Sequence, residues 1–170
     1  MTAEIRRLTA DDAAAFHALR LEAMTAEPES FGTDVIEERA KTLDHVADLL
    51  SRNVVFGGYV EGEGLCAMAG FARKASLRER HKGQVWSMYV RASVRGRRLG
   101  GLLLDRVIDH ARGEVEVLQL VVVSTNAPAV ALYESRGFQR WGLEPLALKV
   151  GEGRFTTDAY YWLPLTSSDS

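Results

Sequence analysis

One stretch limits the fold more than any other. The apolar run Val85 to Val90 is followed by a loop of small and basic residues. An amphipathic helix comes next, from about Arg97 to Arg112, and then the β-branched run Val117 to Val123. In the helix, Leu99, Leu103, Val107 and Ala111 recur at i, i+4, and Leu104 and Ile108 widen that stripe. Strand, helix, strand makes a β-α-β unit, whose two strands must be parallel and joined by a right-handed crossover. Val117 to Val123 reads as a strand buried on both faces.

The flanking segments complete the layout. Glu4 to Leu8 reads as a strand, and Thr9 or Asp11 can cap a helix from about Asp12 to Thr25. Pro28, Ser30 and Gly32 mark a loop, and a second helix is expected from about Val35 to Ser51. Val54 to Val60 and Leu65 to Arg73 read as strands joined by a hairpin turn at Glu61-Gly62-Glu63-Gly64. Ser76 to Gly83 is a charged loop. After Val123, Asn126 caps another helix, Pro128 falls in its first turn and Gly137 ends it. Two closing strands are expected, about Gln139 to Val150 and Asp158 to Pro164, paired as a hairpin. The expected class is α/β: a mixed sheet of about seven strands with four helices on both faces. The 170 residues suit a single domain over 1–165 with a polar tail, Thr166 to Ser170.

The loop itself is made for an anion. The first N–H groups of a helix have no intrahelical partner, and the helix dipole adds positive charge there. Gly96, Gly100 and Gly101 let a phosphate approach the backbone, and Arg95, Arg97 and Arg98 add side-chain charge. Taken alone, such a loop is equally a solvated basic turn. In a mixed sheet, however, phosphate ligands bind beyond the carboxyl end of a parallel strand, which is where this loop falls.

Two segments then resemble the GCN5-related N-acetyltransferase (GNAT) superfamily. Arg95-Gly96-Arg97-Arg98-Leu99-Gly100 is similar to its acetyl-CoA loop, Arg/Gln-x-x-Gly-x-Gly/Ala. Asn126 to Phe138 is similar to its Asn-x-x-Ala-x-x-Leu-Tyr-x-x-x-Gly-Phe helix. Trp86 to Val90 fits the strand before the loop. The matched order covers Val85 to Phe138, about a third of the chain. Two departures stand out. The family's first loop glycine is Arg98 here; a positive φ would strain an arginine and a helical backbone would not, and the helical one is expected because Gly96, Gly100 and Gly101 remain nearby. Some members also carry a catalytic Glu five residues before the Asn, where this chain has Val121.

The resemblance implies an acyltransferase acting on groups other than aminoacyl groups, with acetyl-CoA as acetyl donor. Backbone groups of Met88 and Val90, on either side of Tyr89, would pair with the pantetheine arm like an added strand, and an N–H there would hold the oxyanion. Arg95, Gly96, Arg97, Arg98, Leu99, Gly100 and Gly101 would take the pyrophosphate, and Asn126 would contact the cofactor. Tyr133 would protonate the departing thiolate. Phe31, Glu37, Glu79 and His81 are candidates for the acceptor side, where Glu38 and Asp158 are further carboxylates. The acceptor would be a primary amine on a small molecule, an amino acid, or a protein N-terminus or lysine. A homodimer is common among look-alikes. The competing class is a non-catalytic acyl-CoA-binding or sensing module.

Composition removes other options. A net charge of -2 gives no general support for a nucleic-acid partner and disfavours an RNA-modifying enzyme. The lone Cys66 allows no intramolecular disulfide, reads as a small core residue, and leaves no cysteine-based metal site; no metal is expected. Met1 to Thr9 lacks the apolar core of a signal peptide, and no apolar run approaches membrane-spanning length, so a cytoplasmic setting is expected.

Overall fold

The computed structural model describes residues 2–165, so the expected polar tail lies outside the described residues. Nine strands are present: β1 (Ala3–Arg7), β2 (Val54–Val60), β3 (Gly64–Arg73), β4 (Lys82–Val90), β5 (Val117–Val123), β6 (Gln139–Glu144), β7 (Lys149–Gly151), β8 (Arg154–Phe155) and β9 (Asp158–Pro164). Five α-helices are α1 (Ala13–Ala26), α2 (Val35–Arg39), α3 (Leu43–Arg52), α4 (Leu99–Arg112) and α5 (Ala127–Ser135). Seven strands hydrogen-bond in the order β1-β2-β3-β4-β5-β9-β6, and β7 and β8 form a separate pair. The mixed seven-stranded sheet is the one expected. No helix among the described residues is long and apolar enough to cross a membrane.

The chain divides into two compact units. Among the described residues, the first comprises 2–72 and 85–109. In it β1, β2 and β3 pair antiparallel, with Ala3 opposite Val60 and Val54 opposite Phe71. Its core joins Leu8, Phe16, Leu19, Val46, Leu50, Val55, Met68 and Tyr89. Cys66 is fully buried, as a small core residue. Glycine makes close approach possible at two points. A Cβ at Gly57 would lie 2.6 Å from both Leu8 and Leu65, and a Cβ at Gly70 would collide with the Trp86 indole; Leu99, at the start of α4, packs beside Gly58 of β2. The predicted apolar stripe of α4 is buried throughout, from Leu99 to Ala111.

Among the described residues, the second unit comprises 73–84 and 110–165. Lys82, Gly83 and Gln84 run parallel to Val117, Leu118 and Gln119, which is the parallel pairing the β-α-β pattern demands. The His81 carbonyl accepts from both the Glu116 and Val117 N–H groups and fixes this register. β9 pairs antiparallel with β5 on one side and β6 on the other, so the closing strands do pair with each other.

Four expectations are corrected. The second helix is two helices, because the Thr42 side chain accepts a hydrogen bond from the His45 N–H and starts α3 anew. Residues 139–150 are not one strand: Pro145 has no N–H to donate, Leu146 is left-handed at φ 54, and β6 stops at Glu144. β5 is not buried on both faces. Leu118, Leu120 and Val122 are buried in alternation, while Val121 is 40 % exposed. Arg98 is not helical, as described next.

Candidate active site

The basic loop belongs to the first unit. Gly96 has φ 81 and Arg98 has φ 62, with Arg97 between them on the ordinary side of the map. Alternation of this kind builds the backbone concavities that bind anions. The first intrahelical bond of α4 runs from the Leu102 N–H to the Arg98 carbonyl at 3.0 Å. The N–H groups of Leu99, Gly100 and Gly101 therefore precede the helical ladder. A left-handed arginine is disfavoured by roughly 1–2 kcal/mol. The expected helical backbone at Arg98 gives way because the loop must reverse its hand before α4 begins. Leu99 anchors that beginning, with 1 % of its surface exposed. Arg95, Gly96, Arg97 and Arg98 stay exposed.

The three loop arginines are not equivalent. The Arg95 guanidinium turns back: Nε donates to the Val90 carbonyl at 2.9 Å, Nη2 donates to the Glu27 carboxylate, and the group lies 6.0 Å from the Tyr89 ring centre. Arg95 thus ties the loop to the end of β4. Arg91, which the sequence reading passed over, does similar work. It donates twice to Glu22, at 2.9 Å each, and to the Glu63 carbonyl at 2.9 Å. Its bonds hold the Glu22 carboxyl below its usual range.

On β4, Met88 and Val90 are half-buried and Tyr89 is buried. The Tyr89 hydroxyl donates to Glu22 at 3.3 Å, and burial raises its pKa. Its side chain is a core anchor. Trp86 and Tyr89 pack on the same core cluster although they are three residues apart. Strict alternation would send them to opposite faces. Ser87, left-handed at φ 55, lies between them and makes the change.

Sequence reasoning also missed Arg20. It is 7 % exposed, on the otherwise apolar stripe of α1 with Phe16, Leu19 and Ala23. Its Nε and Nη2 donate to the two Glu38 carboxylate oxygens at 2.8 and 3.2 Å, and Nη1 donates to the Ser87 hydroxyl. Phe16, Phe31 and Trp86 surround it, with ring centres 5.9, 5.9 and 5.7 Å away. Lys41 adds a bond to Glu38 at 2.6 Å, and the His17 Nε2 donates to the Glu38 carbonyl at 2.9 Å. Burial works to raise the Glu38 pKa, but the bonds from Arg20 and Lys41 outweigh it and bring it down to about 2. The visible signal was an arginine interrupting an apolar stripe. Phe31 is thus half-buried beside this pair, while Glu37 is exposed.

The second unit carries Tyr133 and Asn126. The Asn126 side chain accepts from the Ala129 N–H at 3.3 Å and caps α5, as expected, and Gly137 ends the helix at φ 91. Tyr133 is 5 % exposed, edge-on to Phe138 at 5.9 Å. Burial raises its pKa well above the usual phenol value, so it is neutral at pH 7. No hydrogen bond to its hydroxyl occurs among the described residues. Glu79 is ion-paired with Lys82 at 3.2 Å, and His81 is exposed. The Asp158 pKa is raised by burial, and its Oδ1 has no partner among the described residues.

These features meet in one family. A family model described as the acetyltransferase (GNAT) family matches residues 15–138. The chain belongs to the GNAT acetyltransferase family. The seven-stranded mixed architecture is also that of solved GNAT structures. A GNAT-family acetyltransferase from Streptococcus pneumoniae superposes with a TM-score of 0.85 at 23% identity, over 96% of this chain and 99% of its own. The yncA protein of Salmonella typhimurium, solved with acetyl-CoA, gives 0.84 at 23% identity, over 100% and 98%. A ribosomal-protein-alanine N-acetyltransferase from Brucella melitensis gives 0.75 at 23% identity, over 95% and 99%. No curated protein matches the sequence.

Proposed function

We propose that this GNAT protein, acting as one domain over residues 1–165, moves an acetyl group from acetyl-CoA to a primary amine by direct attack in a ternary complex. The observation that carries the reading is the alternating backbone hand at Gly96 and Arg98, directly ahead of the N-terminus of α4. That combination suits a pyrophosphate, and Arg97 and Arg98 supply charge for it. Arg95 serves by bracing the loop against Val90.

In this mechanism Met88 and Val90 offer backbone groups to the pantetheine arm, and one N–H there holds the acetyl oxygen as it gains charge. The neutral amine nitrogen bonds to the acetyl carbon, the carbon–sulfur bond breaks, and the nitrogen's surplus proton passes to solvent. The sulfur takes a proton from Tyr133. The buried phenol is neutral at pH 7 and so holds a proton to give, while burial makes it a weaker acid than the thiol it protonates, so the transfer is driven by the breaking carbon–sulfur bond and the phenol regains its proton from solvent. Asn126 caps α5 and contacts the donor from the same helix as Tyr133. Phe31, Glu37, Glu79 and His81 are the acceptor-side assignments. The acceptor is an amine on a small molecule, an amino acid, or a protein N-terminus or lysine, in a cytoplasmic setting that allows a homodimer.

Thiol release from acetyl-CoA over a panel of such amines tests the reading, and amine-dependent release is expected. A second reading, a non-catalytic acyl-CoA sensor, is favoured by Arg98 and Val121 standing where family members place a glycine and a glutamate. Saturable acetyl-CoA binding with no release on any amine would select it.

A further inference from the structure

A left-handed serine in the middle of a strand needs a cause. Glycine adopts such a backbone freely, whereas any residue with a Cβ is disfavoured there and persists only where its surroundings impose it. Ser87 is such a residue, at φ 55. It also lies between Trp86 and Tyr89, which pack on one core cluster although strict alternation would separate them, so the backbone departs from a regular strand there as it does at a bulge. A bulge takes one residue out of the ladder and re-aims the residue beside it. Here the residue beside it is Met88.

The surroundings impose it in a specific way. The Ser87 hydroxyl accepts from Arg20 Nη1. Arg20 cannot turn away, because its other two donor nitrogens are bound to both oxygens of Glu38, which is 1 % exposed. The aromatic rings of Phe16, Phe31 and Trp86 flank the guanidinium, and Lys41 holds Glu38 in place with a bond of its own. Trp86 is itself fixed, lying in the space Gly70 leaves by having no side chain.

We infer that the buried Arg20–Glu38 pair acts as a clamp that holds Ser87 left-handed and so aims the Met88 amide at the acetyl oxygen of the donor. Arg20 is then a positioning residue, acting through Ser87 without touching substrate. This inference rests on the acetyl-CoA reading above.

Two substitutions at Ser87 separate the clamp from other roles, because neither disturbs the buried ion pair. Ser87→Ala removes the tether and keeps the Cβ. Ser87→Gly removes the tether together with the need for it. The readout is calorimetric titration of the intact protein with acetyl-CoA and, separately, with CoA. In the parent chain acetyl-CoA should bind several-fold tighter, since only it offers an oxygen to the aimed amide. Ser87→Ala should bring that ratio close to one with little change for CoA, and Ser87→Gly should recover most of it. Arg20→Met should follow Ser87→Ala; if it does not fold, the Ser87 pair alone decides. Equal ratios in the alanine and glycine variants, with both still binding, overturn the clamp and leave the acetyl-CoA reading standing. A parent chain that binds neither ligand overturns both.

Discussion

Leu99 packs its Cδ2 against Gly58, 3.4 Å from where a Cβ on that glycine would stand. The same Cβ would lie 3.1 Å from Ala67. The start of α4, which follows the loop at 96–98, thus packs on β2 beside a glycine. Gly58→Val should overpack this contact, lowering stability by about 1–3 kcal/mol and weakening acetyl-CoA binding. Urea unfolding and calorimetry on one preparation check both. Unchanged affinity in a destabilised variant would separate the helix start from the loop.

Acid should unfold the protein through identifiable carboxylates. Glu38 and Asp12 both have folded pKa values near 2, against 4.5 and 3.8 unperturbed. For Asp12 the cause is first the bond from Arg6, and for Glu38 the bonds from Arg20 and Lys41 overcome burial. A folded pKa below the unfolded one means that the contribution is complete above about pH 4.5 and is lost as pH falls toward 2. Stability measured from pH 7 down should stay level and then drop across that window. Glu38→Ala strands Arg20 and should destabilise by about 3–5 kcal/mol at pH 7, with a shallower acid limb. An identical limb in the variant would contradict the assignment.

Tyr133→Phe deletes one oxygen from a packed ring. Turnover should fall by about 10²–10⁴-fold if the hydroxyl is the acid, while acetyl-CoA affinity changes little. Its raised pKa also means that Tyr133 should impose no alkaline fall in rate at or below its ordinary value of 10. Equal turnover in the variant would remove the role.

Asn126→Ala removes the acceptor for the Ala129 N–H and should cost about 1 kcal/mol in stability. Asn126→Asp keeps a cap and should retain that stability. If Asn126 also contacts the donor, both variants should weaken acetyl-CoA binding. Thermal melts with and without acetyl-CoA distinguish capping alone from capping plus contact.

Much of this was legible in the sequence, for reasons that are local. The stripe of α4, the β-branched run of β5, the Asn126 cap and the Gly137 stop are each written in a few neighbouring residues, and the structure has all of them. What escaped depends on partners far along the chain. Ser87 looks like an ordinary strand residue until Arg20, sixty-seven positions earlier, is beside it. Glu38 was expected as a carboxylate on the acceptor side, whereas it is buried and ion-paired with Arg20 and Lys41. Arg98 was misread because an arginine suits a helix well, and the reversal of hand at Gly96 and Arg98 belongs to the loop as a whole. Tyr133 was singled out by resemblance; its burial against Phe138 came only with the fold.

The central claim is that the loop at 96–101 holds the pyrophosphate of acetyl-CoA. Calorimetric titration of acetyl-CoA into the parent chain and into Gly100→Glu tests it most directly. The account predicts saturable binding by the parent and loss of binding in the variant, whose carboxylate would stand at the phosphate site. Equal affinity in the two proteins would contradict it.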